Sequence, residues 1–374
     1  MDNSQASWAE IDLGAIQKNI ASIKGLLAPS TMLMAVVKAN AYGHGMIRVA
    51  QSCIEAGAAY LGVASLEEAL ALRAEHIKVP ILVFGYIPRA QAEAVVNNQV
   101  EAAVYNLEAA LAYSQAASQD NPALLHIKLD TGMGRIGFQT DEAALDIVKE
   151  ISQLPNVMIK GIFTHFAVAD ELDKSFTEQQ IKLFNGFVNS LEEAGVNIPI
   201  KHMANSAAIM DMPETQCNMV RSGIITYGLY PSDEVNRARL SIEPAMRLIS
   251  HISHLKALPP GRSVSYGRRY FTDKDTLVAT VPVGYADGYS RLLSNRAWAR
   301  VRGQKVPLIG TVCMDQCMFD VTEVEGVTMG DEVILLGRPE DGITADDLAR
   351  IIGTINYEIV CTIGNRIPRK YINK

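Results

Sequence analysis

Between residues 32 and 224 the chain alternates short apolar runs with longer stretches whose apolar residues recur at helical spacing. The runs are Met32–Lys38, Tyr60–Ala64, Ile81–Gly85, Ala102–Tyr105, Leu124–Leu129, Lys160–Thr164, Ile200–Met203 and Met219–Ile224. Among the intervening stretches, Ser65–Glu75 opens with Ser65 and Glu68 at capping-box spacing, and Asp141–Gln153 carries an apolar stripe. Eight strand–helix repeats predict a (β/α)8 barrel, TIM-like, whose active site lies at the carboxyl ends of the strands. After about Leu240 the texture changes to β-rich runs broken by Pro and Gly: Thr276–Val283, Arg300–Ile309, Val312–Val321 and Glu332–Gly337. The expected fold class is therefore α/β plus β, with the barrel over residues 1–240 and a mostly β C-terminal domain over 241–374. Residues 7–13 precede the first barrel strand and are expected to pair with the second domain.

Composition narrows the function classes. A chain of 374 residues with 48% hydrophobic and 20% charged content can bury a large core and exceeds one ordinary domain. A net charge of -7 argues against nucleic acid or an anionic membrane as partner, while leaving room for a local basic pocket around one small phosphate. Five cysteines, an odd number without a close CxxC pair, suggest neither a disulfide framework nor a metal site. The N-terminal stretch MDNSQASWAEIDL is polar, and no apolar run is long enough to span a bilayer, so a soluble cytoplasmic protein is expected.

Candidate chemistry collects at the predicted strand ends. In AVVKANAYGHG, Ala35–Gly45, Lys38 closes an apolar run just before a glycine-rich turn. An ammonium at the buried end of a strand loses hydration, and its pKa falls toward the range where the free amine attacks a carbonyl. Lys38 is thus a Schiff-base candidate, against the competing reading of a packed stem with a snorkelling head. Lys128, His165, Asn205 and Arg221 also lie at or near strand ends. HIKLDTGMGRIGF, His126–Phe138, supplies Lys128 and Arg135, two cations that repel unless an anion separates them. In HMANSAA, Asn205 and Ser206 suit a helix cap, and in MVRSGIITYGLYP, Gly223 lets the backbone approach an anion. Loops after the seventh and eighth barrel strands commonly bind phosphate. A plain cap and a satisfied core histidine are the competing readings for Asn205–Ser206 and for His165.

These segments, together with VSYGRRY (264–270), VPVGYADGYSR (281–291), GTVCMDQCMFDV (310–321) and TINYEIVC (354–361), resemble bacterial alanine racemases over nearly the whole chain. The resemblance implies pyridoxal 5'-phosphate on Lys38 and an alanine racemase interconverting L- and D-alanine through an external aldimine, supplying D-alanine for peptidoglycan. It implies a homodimer with shared active sites, in which Tyr266 of the partner subunit is the second catalytic base. Cofactor contacts would come from Tyr42, His165, Asn205, Ser206, Arg221, Gly223, Ile224 and Tyr357. Arg135 and the Met314 amide would hold the substrate carboxylate, Tyr285 would narrow the entrance, and Lys128 would be open to carbamylation. Thr311 stands where some members carry an arginine near the entrance.

Arg221 discriminates among the alternatives. A guanidinium is a donor only, so a pyridine nitrogen facing it stays largely unprotonated and the ring is a weaker electron sink, which suits proton removal and return. A fold-related decarboxylase would place a carboxylate there. A non-catalytic cofactor-binding barrel would have no use for Tyr266, and a cofactor-free aldolase would not need so complete a set of contacts. A serine or broad-specificity racemase shares every motif.

Overall fold

A computed structural model describes residues 5–373. The chain divides into two units, one of residues 16–41 and 46–242, the other of the described residues within 1–15, 42–45 and 243–374.

In the first unit eight parallel strands follow one another around a barrel: β1 (Met32–Val36), β2 (Tyr60–Val63), β3 (Ile81–Val83), β4 (Glu101–Val104), β5 (Ala123–Lys128), β6 (Val157–Phe163), β7 (Ile200–His202) and β8 (Met219–Ser222). Each pairs with the next as far as β7, and β8 pairs back onto β1 with Met32 beside Met219. Between β7 and β8 single bonds replace a ladder: Asn218 N donates to Lys201 O at 3.1 Å and Arg221 N to Ala204 O at 3.0 Å. Strands covered on both faces read as nearly continuous apolar runs, which is why the sequence located them. Met34, Tyr60, Leu82, Ala103, Phe163, Ile200 and Met219 form one core cluster.

Every strand ends before the run that overlaps it does, and β4, β5 and β6 also begin before theirs. The first ends at Val36, so Lys38 stands two residues beyond it and is half-buried rather than buried. Helix Leu66–Ala74 begins, as the spacing predicts, at Ser65, whose hydroxyl accepts from Glu68 N. Glu68 does not complete the box on Ser65. Its carboxylate accepts instead from Ala64 N at 2.8 Å and Ala39 N at 2.6 Å. Helix Glu142–Gln153 is capped by Asp141 and buries Ala144, Val148 and Ile151.

The second unit is mostly β. Its six-stranded sheet runs in the order Gln304–Pro307, Trp298–Val301, Glu332–Leu336, Met246–His251, Ser7–Asp12, Arg369–Ile372. Ser7–Asp12 is antiparallel to Met246–His251 and parallel to Arg369–Ile372. The single run expected over Arg300–Ile309 is a hairpin, because Arg302 and Gly303 both take positive φ and turn the chain between two strands. In Val312–Val321 only Cys317–Asp320 is strand. Helices Ala345–Ile352 and Asn356–Cys361 had no counterpart in the expected elements.

Asp12 ties three segments of this unit. Its carboxylate accepts from Ala15 N at 3.0 Å, Arg338 NH2 at 2.6 Å and Asn373 Nδ2 at 3.0 Å. Burial opposes its ionisation, but these bonds outweigh burial and hold the carboxyl below the ordinary aspartate range. Asp12→Ala should cost about 1–3 kcal/mol in urea unfolding. Because the folded pKa is depressed, that contribution is present above the ordinary aspartate pKa and shrinks as pH falls through it. Equal stability of variant and wild type at neutral pH would refute the assignment.

Candidate active site

Lys38 opens an unusual turn. Ala39 (φ 53°, ψ 51°), Asn40 (φ 53°, ψ 44°), Ala41 (φ 55°, ψ 53°) and Tyr42 (φ 50°) are consecutive left-handed residues. Left-handed backbone costs L-residues roughly 1–2 kcal/mol each, so the turn persists only where its surroundings dictate it. Glu68 takes the Ala39 amide, Val37 O takes Ala41 N at 2.8 Å, and Asn40 Oδ1 accepts from Met46 N at 2.9 Å, the start of helix Met46–Glu55. Farther along, Gly43 has φ +82°, and a Cβ there would lie 2.1 Å from Val360 O. Only glycine fits.

At the end of β5, buried Lys128 donates from Nζ to Leu129 O at 2.5 Å. Burial, then the charge of Arg221, brings its pKa down to about 7. The following loop is closed by Asp130 N to Phe138 O and Phe138 N to Lys128 O, both 2.8 Å. Inside it the Asp130 carboxylate accepts from the amides of Gly132, Gly134 and Arg135 at 3.0, 3.0 and 3.1 Å. Burial of Asp130 is outweighed by these amides and Lys128, so it stays ionised. Arg135 is exposed on this loop.

On β8 the Arg221 guanidinium is buried among neutral acceptors. NH1 donates to His202 O at 2.9 Å and His202 Nδ1 at 3.1 Å; NH2 donates to Thr164 O at 2.7 Å, Met203 O at 3.1 Å and His165 Nδ1 at 3.4 Å. Burial lowers its pKa to about 9, which leaves it protonated at neutral pH. His165 is pushed well below its ordinary value by burial and then by Arg221, Arg135, Lys128 and Lys38, so its ring is a neutral acceptor. Those four cations thus act on one imidazole.

Asn205 caps helix Ser206–Asp211, its side chain accepting from Ala208 N at 3.1 Å. Ser206 Oγ accepts from Gly223 N at 2.9 Å, just ahead of the turn Ile224–Tyr227, leaving the Ser206 O–H as a donor.

In the second unit the rings of Tyr42 and Tyr357 lie 6.2 Å apart. Burial raises the pKa of the Tyr42 phenol. Tyr266 is 69% exposed, between Ser265 (φ 66°) and Gly267 (φ 72°). Its carbonyl accepts from Thr311 Oγ1 at 2.9 Å, while Ser265 Oγ donates to Thr311 O. Thr311, expected near an entrance, is 2% exposed and braces the Tyr266 segment. Arg268 turns to Ser263 Oγ at 3.1 Å and to the Phe271 ring at 5.2 Å. The loops carrying Tyr285 and Met314 are joined by Tyr285 N to Cys313 O and Ala286 N to Met314 O, both 3.0 Å.

Four residues at the barrel site escaped the sequence reading: Glu68, Glu101, His126 and His202. The signal for one of them was present, since His126 and Lys128 alternate along an otherwise apolar strand and so share a face.

A family model for the alanine racemase N-terminal domain matches residues 11–231, and one for the alanine racemase C-terminal domain matches residues 245–371. The chain belongs to the alanine racemase family. Members are pyridoxal phosphate-dependent isomerases. An alanine racemase of Clostridium perfringens (strain SM101 / Type A) is 49% identical over 367 residues, 97% of this chain and 95% of that protein. One from Methanococcus maripaludis is 45% identical over 372 residues, 99% of this chain and all of its own length. Among solved structures, alanine racemase of Clostridium difficile 630 has a TM-score of 0.96 at 42% identity, covering 99% of this chain and 97% of that one. The Bacillus anthracis enzyme with bound L-Ala-P has a TM-score of 0.93 at 38% identity, covering 100% and 96%.

Lys128 should leave a pH signature. With a folded pKa of about 7 against an ordinary value of 10.5, the unfolded chain binds the extra proton between those limits. Stability therefore rises with pH across that window. The difference in urea stability between wild type and Lys128→Met, measured in CO2-free buffer, should grow in favour of wild type from pH 7 to pH 10. A flat difference would contradict the depressed pKa.

Proposed function

We propose that this protein racemises alanine, interconverting the L- and D-forms, with pyridoxal 5'-phosphate on Lys38. The observation that carries the reading is the neutral surroundings of Arg221, whose partners are three carbonyl oxygens and two imidazole nitrogens. A donor-only group with no carboxylate partner suits an unprotonated pyridine nitrogen and argues against the fold-related decarboxylase.

The residues present fit the cofactor: a half-buried lysine amine for the aldehyde, a fixed guanidinium for the ring nitrogen and a Ser206 hydroxyl with its proton free to donate to a phosphate. Bound there, pyridoxal phosphate supplies the electron sink that acidifies the substrate Cα–H. Ser206 and the Gly223–Ile224 backbone hold the phosphate, and Asn205 keeps the helix start in place. His165, held neutral, packs beside Arg221 without adding charge. Arg135 and the Met314 amide bind the substrate carboxylate, and Tyr285 narrows the approach. Orientation by these groups supplies a large part of the rate. Lys38 moves the Cα proton on one face and Tyr266 of the partner subunit on the other, so each turnover inverts the stereocentre.

Lys128 accounts for the cation excess. With a pKa of about 7 a large fraction of its amine is free at neutral pH. Its nitrogen bonds to the carbon of CO2 and releases one proton to water, and the resulting carbamate anion offsets Arg135. The protein is proposed to work as a cytoplasmic homodimer that supplies D-alanine for peptidoglycan.

Chiral chromatography of alanine incubated with the holoenzyme should show both enantiomers converging to equal amounts. Tyr266→Phe should lower turnover about 100- to 10,000-fold in both directions, the usual worth of one acid–base group. Mixing inactive Lys38→Ala and Tyr266→Phe subunits should restore activity, because one heterodimer site then holds both bases. No recovery after verified subunit exchange would show that Tyr266 does not serve a partner's site.

A further inference from the structure

Behind Arg221 lies a chain of buried polar groups that the racemase reading does not use. Glu101 Oε2 lies 2.7 Å from His126 Nε2, His126 Nδ1 lies 3.0 Å from His202 Nε2, and His202 Nδ1 lies 3.1 Å from Arg221 NH1. Glu101 is 2% exposed and both histidines are fully buried. Tyr60 adds a hydroxyl hydrogen bond to Glu101. We propose that Glu101, His126 and His202 are positioning residues whose protons are ordered in one sense, so that His202 always presents a bare Nδ1 to Arg221.

The order follows from donor and acceptor capacity. Arg221 has no lone pair, so His202 Nδ1 must accept and the proton of its ring sits on Nε2. That proton points at His126 Nδ1, which must accept in turn and therefore carries its own proton on Nε2. The Nε2 proton needs an acceptor, and Glu101 supplies it only with Oε2 unprotonated. If Glu101 held the proton facing His126, or if His126 were doubly protonated, an N–H would sit on His202 Nδ1 against the guanidinium. Two donors would then face each other in a dry site, which costs both hydrogen bonds and adds repulsion. Burial and then Arg221 also push the His202 pKa well below its ordinary value, which keeps that ring neutral.

The surrounding packing holds the chain in place. The Phe163 ring stacks on His202 at 4.7 Å with 9° between planes and meets His126 edge-on at 6.5 Å. On β6, Gly161 makes room: a Cβ there would lie 2.3 Å from His126 Nδ1. The carboxylate on β4 thus sets, two imidazoles away, the group that aims one guanidinium nitrogen on β8. The consequence for turnover rests on the proposed role of Arg221, whereas the proton order does not.

Neutron diffraction from perdeuterated holoenzyme crystals reads the order directly. Deuterons on Nε2 of both His126 and His202, with both Nδ1 atoms and Glu101 Oε2 bare, are expected. A deuteron on His202 Nδ1, on both nitrogens of either ring, or on Glu101 Oε2 overturns the proposal. Kinetics test the consequence. Glu101→Leu, which removes the terminal acceptor, should lower kcat on the order of 10- to 100-fold with KM changed less than about twofold. Glu101→Gln, whose amide oxygen still accepts from Nε2, should recover most of that loss. Equal loss in both variants would mean that the site needs the charge or volume of Glu101 and not its acceptor. Absence of alanine turnover in the wild type would strike the racemase reading alone, since the neutron result stands without it.

Discussion

The guanidinium of Arg221 must be kept dry and still be saturated with acceptors, and much of the barrel mouth follows from that demand. Its acceptors come from the ends of two strands: Thr164 O just past β6, and His202 O and Met203 O at and after β7. Those carbonyls would otherwise extend a ladder. Because the side chain on β8 takes the two from β7, the β7–β8 seam is held by isolated backbone bonds where every other seam of the barrel has a paired ladder, the one between β5 and β6 with a register shift at Leu125/His126. A buried guanidinium is costly when any of its donors lacks a partner, so the strand ends, the Phe163 platform and the imidazole chain form one interdependent assembly.

Charge at the mouth is as constrained as geometry. The chain carries a net charge of -7, yet Lys38, Lys128, Arg135 and Arg221 all act on His165. Bulk charge is therefore no guide to the pocket. The protein tolerates the excess by leaving His165 and His202 neutral and by letting Lys128 give up its proton near pH 7. A site tuned in this way favours an anionic occupant, and a small carboxylate or phosphate needs no further inducement to enter.

The barrel was legible because its strands are covered on both faces: each of the eight apolar runs overlaps one strand, and the helix cap at Ser65 lies where the spacing puts it. The second unit was read less well. Its sheets draw on distant segments, and the hairpin at Arg302–Gly303 and the two helices near the C-terminus were blurred or missed. At the site, sequence exposed residue chemistry at strand ends but not the partners that tune it. Glu101 precedes the apolar run Ala102–Tyr105 and His202 follows Lys201, and nothing local signals that the fold links them through His126. The departure at Lys38 has a similar cause. A left-handed turn of four residues is improbable from propensity alone and exists because Glu68, Asn40 and Val37 O hold it.

That turn also limits how the protein can vary. Left-handed backbone admits glycine and amide side chains most readily and β-branched ones hardly at all, so Ala39, Asn40 and Ala41 have few neutral replacements. Glu68 is bound to the same restriction, since its two carboxylate oxygens serve amides at the ends of adjacent segments and no shorter or uncharged side chain reaches both as an acceptor. Sequence drift in this molecule is thus channelled away from the loop that begins at Lys38 and into the outer faces of the helices, where substitutions leave the turn undisturbed.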